Sequence, residues 1–189
     1  MPTEESWTTY FEPERILGLL GIDGTVGNLL DVGCGYGTFL VPAAGLISGT
    51  AIGVDIDPQM IAACRARADE RRLTNVVLLT GDVGSPDVAR SLAGRKGRID
   101  RVTLFNILHC EEPVTLLRHV TDLLSPTGKV GVIHWKHEAT PRGPSMDIRP
   151  TPEQITDWAA RVGLSSEKFV DLPPYHFGLL LARDDLNRQ

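Results

Sequence analysis

The chain has 189 residues, 42% hydrophobic and 23% charged, and 19 Lys plus Arg against 24 Asp plus Glu give a net charge of -5. These values exclude a disordered, fibrous or low-complexity protein and predict one domain, residues 1–189, that buries about 70% of its unfolded surface without metal or disulfide staples. The acidic balance argues against a broad phosphate-backbone surface, so nucleic acid is not expected as a partner.

The first residues, MPTEESWTTYFEPER, carry acids where a signal peptide carries bases and have no apolar h-region. No segment has 18 consecutive apolar residues. Neither export nor a membrane span is expected. Phe11 and Ile16 to Leu20 predict an amphipathic helix, and residues 1–24 are read as an N-terminal helical segment forming part of a small substrate lid. From residue 25 to 183, short apolar runs alternate with segments of helical period, the pattern of an α/β protein with a mostly parallel sheet. Strands are expected at 28–33, 51–56, 76–82, 101–106 and 129–135, and helices at 39–47, 58–72, 86–93 and 113–124. Residues 138–150 are proline-rich and read as an irregular loop that shares in the lid. A last helix at 152–162 sets Ile155, Trp158, Ala159 and Val162 on one stripe, and strands at 168–172 and 178–182 close the chain as a hairpin around Pro173, Pro174, Tyr175 and His176. Cys34, Cys64 and Cys110 are odd in number, far apart and without C-x-x-C spacing, so they suggest neither a disulfide framework nor a zinc site; a reducing cytoplasm fits them best.

The run Leu29-Leu30-Asp31-Val32-Gly33-Cys34-Gly35-Tyr36-Gly37-Thr38 is a strand entering a glycine-rich turn at a helix start, where absent side chains let a ligand touch backbone N–H groups. Its spacing is G-x-G-x-G. Thr38 stands where the dinucleotide fingerprint requires a third glycine or alanine, which weakens a nicotinamide-dependent oxidoreductase. Asp31 beside the loop would repel a pyrophosphate but suits an ammonium group. Asp55, 22 residues after Gly33, ends the second strand, where a carboxylate can accept both hydroxyls of a ribose; its competing role as a helix N-cap is better filled by Asp57. Asp82 and Val83 end the third strand, placed for an adenine edge, with Ile56 as an apolar face; Asp82 has a second reading as an Asx-turn residue. Together these features describe an adenosine-bearing zwitterion.

Here the sequence resembles the class I S-adenosylmethionine-dependent methyltransferases over roughly residues 25–183. LLDVGCGYGTFL resembles the first motif of that family, GVDIDPQM its acidic second-strand motif, TGDV its adenine motif and LFNILHC its fourth. The overall look is similar to the ubiquinone and menaquinone biosynthesis branch. The resemblance implies a Rossmann-like three-layer sandwich with a seven-stranded sheet of order 3-2-1-4-5-7-6, the last strand antiparallel. It implies S-adenosyl-L-methionine as cofactor, with Asp31, Gly33, Gly35 and Gly37 at the methionine part, Asp55 at the ribose, Asp82 and Val83 at the adenine, and Asn106 beside the methionine.

The expected chemistry is transfer of a methyl group by in-line displacement, in which the protein mainly aligns the reactants. A general base is needed only for an acceptor that must shed a proton, and His109 and His137, on loops at the carboxyl edge of the sheet, are the candidates. Tyr10, Tyr175 and His176 are candidate substrate residues. The tripeptide Pro173-Pro174-Tyr175 is misplaced for an amino-methylating enzyme of nucleic acid, and the Arg90 to Arg101 basic run leads into the edge opposite the cofactor. The adjacent His109, Cys110, Glu111 and Glu112 rarely converge on one ion, so no metal is expected. With little room for an added domain, the acceptor is expected to be a small molecule. A catalytically silent cofactor-binding subunit is the alternative. Oligomeric state is not legible.

Overall fold

The computed structural model describes residues 12–184, so Trp7, Tyr10 and Phe11 lie outside the described residues. In chain order the elements are α1 (Pro13–Leu19), β1 (Leu29–Val32), α2 (Leu40–Leu46), β2 (Ala51–Asp55), α3 (Pro58–Glu70), β3 (Val76–Thr80), α4 (Pro86–Leu92), β4 (Ile99–Phe105), α5 (Pro113–Thr121), β5 (Leu124–Trp135), α6 (Pro152–Ala160), β6 (Leu164–Leu172) and β7 (His176–Arg183). Five of the helices begin on proline, whose fixed φ suits a first turn and whose missing N–H would have no helical partner there. Asp57, Ser85 and Thr151 cap three of them with side-chain oxygens, and Thr151 forms a reciprocal capping box with Gln154.

The seven strands lie in the order β3-β2-β1-β4-β5-β7-β6. β1 pairs in parallel with β2 and β4, and β7 runs antiparallel between β5 and β6. This is the expected sheet. Side chains alternate across it. Leu30, Val32, Val102 and Leu104 join the core beneath α4, α5 and α6, whereas Leu29 and Ile133 face Leu17, Leu20, Leu40 and Cys64 beneath α1, α2 and α3. Leu17 and Leu20 are fully buried, so α1 is tied to the sheet by core packing; truncating either leucine to alanine would cost about 2–5 kcal/mol.

Two strands are longer than the apolar pattern suggests. β6 begins at Leu164 because Ser165, Ser166, Glu167 and Lys168 lie on an exposed edge, where polar side chains are tolerated and protect against edge pairing. β5 begins at Leu124, paired with Ile99 across a register shift, so α5 stops at Thr121 and the last residue expected in it starts a strand instead. The stripe on α6 is seated as expected, with Ile155 and Ala159 buried and Trp158 and Val162 packed at the core margin. Among the described residues no helix is long and apolar enough to cross a membrane.

Candidate cofactor and acceptor cleft

Because β1, β2, β4 and β5 are parallel, their carboxyl ends open on the same edge of the sheet, where ligands of open α/β folds bind. A cleft of about 580 Å³ lies there. It is lined by Asp31, Gly33, Gly35, Asp55, Ile56, Asn106 and His109 among the residues expected from sequence, by residues 142–144 of the loop expected to share in the lid, and by Phe39, Phe105, Ile107 and Trp135, which were not expected.

Its floor is built by the chain leaving β1. Gly33, Gly35 and Gly37 all have positive φ, at 75°, 53° and 77°, a region that side-chain-bearing residues rarely adopt. Their environments differ. A Cβ on Gly35 would meet nothing within 4 Å, so this residue leaves open space for a ligand; a Cβ on Gly37 would come within 2.6 Å of Cys64 Sγ, so its bareness lets α3 approach the turn. Gly37 does not line the cleft. The Gly33 and Cys34 N–H groups donate to Val54 O, tying the turn to β2, and Gly35 N–H donates to Asp55 Oδ2 at 2.9 Å. The other Asp55 oxygen accepts from Asp57 N–H at 3.0 Å.

Asp31, like Asp55, is a buried carboxyl of the site. It shares the α1–α3 face of the sheet with Thr103 of β4, whose hydroxyl donates to Asp31 Oδ1 at 2.6 Å. Burial pushes the Asp31 carboxyl up to about 7, partly opposed by the Thr103 hydroxyl and reinforced by the negative charge of Asp55. Across the cleft, Asn106 sits at the end of β4 with φ 56°, its N–H held by Ile133 O. Its Oδ1 is buried with no hydrogen-bond partner. A buried acceptor without a donor is costly, by about 1–3 kcal/mol, and marks a place where a ligand donor would be welcomed.

The second wall comes from β4, β5 and the loop after β5. Phe39 and Phe105 meet edge to face at 4.7 Å, and Trp135 ends β5. Residues 136–150 fold back over the cleft around Arg149, only 5% exposed, whose guanidinium donates to the carbonyls of Pro144, Lys136, Glu138 and Arg142. The same group lies 5.7 Å from the Trp135 ring, a cation–π distance. Sequence reasoning missed Arg149; a lone arginine between Ile148 and Pro150 in a proline-rich stretch carries no local signal.

Of the other expected residues among those described, only His109 reaches the cleft. Val83 is buried in the core with Val88 and Leu92, and Asp82 Oδ1 accepts from Gly84 N–H in an Asx turn; neither lines the cleft. His137 Nδ1 lies 2.7 Å from Arg149 O, engaged with the loop backbone and outside the cleft lining. Tyr175 and His176 also lie outside it and instead touch Trp135, at ring separations of 6.4 and 4.1 Å. His176 is buried, which holds its imidazole down to about 3. His109 is half-buried at the cleft, and burial lowers its imidazole below the ordinary value.

A methyltransferase-domain family model matches residues 29–128, more than half the chain. The chain belongs to the class I S-adenosylmethionine-dependent methyltransferases. It is 37% identical over 130 residues to a nocamycin O-methyltransferase of Saccharothrix syringae, covering 65% of this chain and 43% of that protein. It is 33% identical over 106 residues to the aklanonic acid methyltransferase DauC of Streptomyces sp. strain C5, covering 54% and 46%, and 29% identical over 117 residues to a demethylmenaquinone methyltransferase of Lactococcus lactis, covering 60% and 44%. The matched stretches thus span less than half the length of these curated relatives. In fold, a solved S-adenosylmethionine-dependent methyltransferase of Aquifex aeolicus superposes with a TM-score of 0.81 at 20% identity, covering 93% of this chain and 91% of that one.

The cofactor of this methyltransferase family is S-adenosylmethionine, and the cleft fits it on observations of its own. The open side of Gly35 leaves room for a ligand at the turn, buried Asp31 offers a carboxylate to a cation, and Asn106 Oδ1 lacks a donor. Ile56, 73% exposed at the rim, offers an apolar surface that water does not satisfy.

Proposed function

We propose that this methyltransferase moves a methyl group from S-adenosylmethionine to a small planar acceptor that bears an ionisable hydroxyl. When bound, the cofactor supplies a methyl group on a positively charged sulfur, an electrophile that needs no metal to activate it. Asp31 and Asn106 Oδ1 hold the ammonium and Asp55 the ribose, while Gly35 leaves the space the ligand fills. The observation carrying this assignment is the buried Asp31 carboxylate facing a glycine-built floor, an arrangement suited to a cation and hostile to a pyrophosphate.

The acceptor reading rests on the second wall. Phe39, Phe105 and Trp135 offer aromatic surface to a flat molecule, and His109 is the imidazole on the cleft. It accepts the proton of the acceptor and aligned packing does the rest. His137, bound to the lid backbone, keeps the loop in place. Residues 142–144 form the roof. The named relatives that act on nocamycin and aklanonic acid support a small-molecule acceptor. The three free cysteines, two of them buried, support residence in a reducing cytoplasm.

The test is mass spectrometry of the purified chain with copurified ligand, followed by a panel of phenols, enols, amines and thiols with S-adenosylmethionine. A mass gain of one methyl group on a hydroxylated planar compound is expected. Bound S-adenosylhomocysteine without transfer until a second protein is added would identify a cofactor-binding subunit.

A further inference from the structure

The buried histidines behind the cleft form a chain of hydrogen-bond partners that runs from a backbone carbonyl to the cleft. His134 lies on β5, fully buried, paired in register with Phe177 of β7. Its Nδ1 lies 3.4 Å from Trp135 O, and its Nε2 lies 3.4 Å from Nδ1 of His109. The two rings meet edge to face, their centroids 5.5 Å apart.

Each link fixes the next. A carbonyl oxygen can only accept, so the contact with Trp135 O requires a proton on His134 Nδ1. A neutral imidazole carries one proton, which leaves His134 Nε2 as a bare acceptor. The contact with His109 then requires the proton of His109 to sit on Nδ1. By the same count His109 Nε2 keeps its lone pair, and it is engaged by no group among the described residues.

We infer that His134 is a positioning residue: by accepting from His109 Nδ1–H it holds His109 in the tautomer whose Nε2 can take a proton from a phenolic or enolic hydroxyl in the cleft. This deepens the proposed function and rests on its assignment of His109. In the step itself the acceptor O–H bond breaks, the proton and Nε2 form an N–H bond, and the electron pair stays on oxygen. His109 becomes an imidazolium that still donates Nδ1–H to His134.

His134 must stay neutral for this, and its surroundings ensure it. Burial holds its imidazole down to about 4, and the positive charge of Arg149 and proximity to His109 push the same way. The Trp135 carbonyl alone opposes them. His176, the third histidine of the group, is kept neutral by burial and by His134, Arg149 and Lys136. A neutral orienting partner also distinguishes this site from a histidine–carboxylate pair. Without a negative charge behind it, His109 is not drawn upward in pKa, so it is unprotonated at neutral pH and matches an acidic hydroxyl, such as a phenol near a pKa of about 10, better than an aliphatic alcohol.

The experiment is long-range proton–nitrogen correlation NMR of the full chain with 15N-labelled histidines at pH 7.5, with His109 assigned by its loss in His109→Gln. For the wild type, Nδ1 of His109 and of His134 should resonate as protonated nitrogens and both Nε2 as unprotonated. In His134→Phe the His109 signals should move to the Nε2–H form that free histidine favours, whereas His134→Gln, whose amide oxygen can accept, should retain the Nδ1–H form. A wild-type spectrum with the proton on His109 Nε2 overturns the inference, and this reading needs no variant to fold. So does a His109 tautomer unchanged in a folded His134→Phe. Calorimetric titration of the same chain with S-adenosylhomocysteine separates the two proposals: absence of binding would refute the cofactor assignment while leaving the tautomer result standing.

Discussion

On the β1–β2 side of the cleft the ligand-facing groups are bare backbone and two short carboxylates: Asp55 is held by Gly35 and Asp57 N–H within that side, and Asp31 by the Thr103 hydroxyl of the adjoining strand β4. On the β4–β5 side they are rings and a roof held from a distance, His109 by His134 and residues 136–144 by Arg149. The first side is set by local backbone conformation and leaves little freedom for a different ligand. The second depends on side chains that meet only in the folded state, so it can be rebuilt for a new acceptor without disturbing the first.

Substitutions on the first side should therefore act on cofactor binding, and those on the second on order and acceptor use. The largest effect is expected at Gly35. A Cβ there meets no protein atom within 4 Å, but valine must hold φ near 53° and adds branched bulk to the open space of the cleft. S-adenosylhomocysteine binding should disappear in calorimetry, a loss of more than about 3 kcal/mol, with the circular dichroism of the fold retained. Wild-type affinity in this variant would move the ligand away from the turn. Next comes Asp55→Ala, which removes the proposed acceptor of the ribose hydroxyls and a tether of Gly35; cofactor binding should weaken by about 1.5–3 kcal/mol.

Asp31 sharpens the comparison because its effects on binding and on stability have opposite signs. Its carboxyl lies at about 7 in the folded protein against an ordinary 3.8, so the folded state binds more protons than the unfolded state between those values. Its contribution to stability is fully present below about 3.8 and is lost as pH rises towards 7. Asp31→Asn, which keeps an oxygen for the Thr103 hydroxyl, should raise the melting temperature of the ligand-free protein at pH 8. The same change should weaken S-adenosylhomocysteine binding by about 1–2 kcal/mol and remove its dependence on pH below 7. His134 and His176 work the other way: their folded pKa values of about 4 and 3 lie below 6.5, so the stability they contribute is present above 6.5 and is lost on acidification through that window. A thermal-melt series from pH 3 to pH 8 should separate these slopes in the wild type and Asp31→Asn.

The smallest effect belongs to the second side. Arg149→Lys keeps the charge but loses the planar fork that gathers four carbonyls. Hydrogen exchange should accelerate by about tenfold across residues 138–148, roughly 1.4 kcal/mol of local stability, with β1 and β2 unchanged. Equal acceleration in β1 would show that the two sides are one cooperative unit.

What could be read from the sequence divides along the same line. Glycines at alternate positions after an apolar strand, a carboxylate two residues before them and another at the end of the next strand announce themselves, because backbone geometry imposes their spacing. The sheet order came with the family resemblance that this motif and its companions carry. The adenine assignment of Asp82 and Val83 rested on a strand end and the family resemblance; the fold displays the Asx turn read as the alternative for Asp82 and buries Val83 in the core. Gly37 was grouped with its neighbours by spacing, although its bareness serves α3. Thr103, His134 and Arg149 were invisible for a common reason: each acts on a partner across the fold or across a loop, and no local periodicity encodes that pairing. The polar start of β6 was hidden because an exposed edge strand has one flank in water.

The most direct test of the central claim, that the cleft is made for a cationic sulfur nucleoside and closed to phosphates, is calorimetric titration of the wild-type chain with S-adenosylhomocysteine and, separately, with NADH. The expected result is saturable binding of the sulfur nucleoside and none of the dinucleotide. Tight NADH binding with no heat from S-adenosylhomocysteine would contradict it.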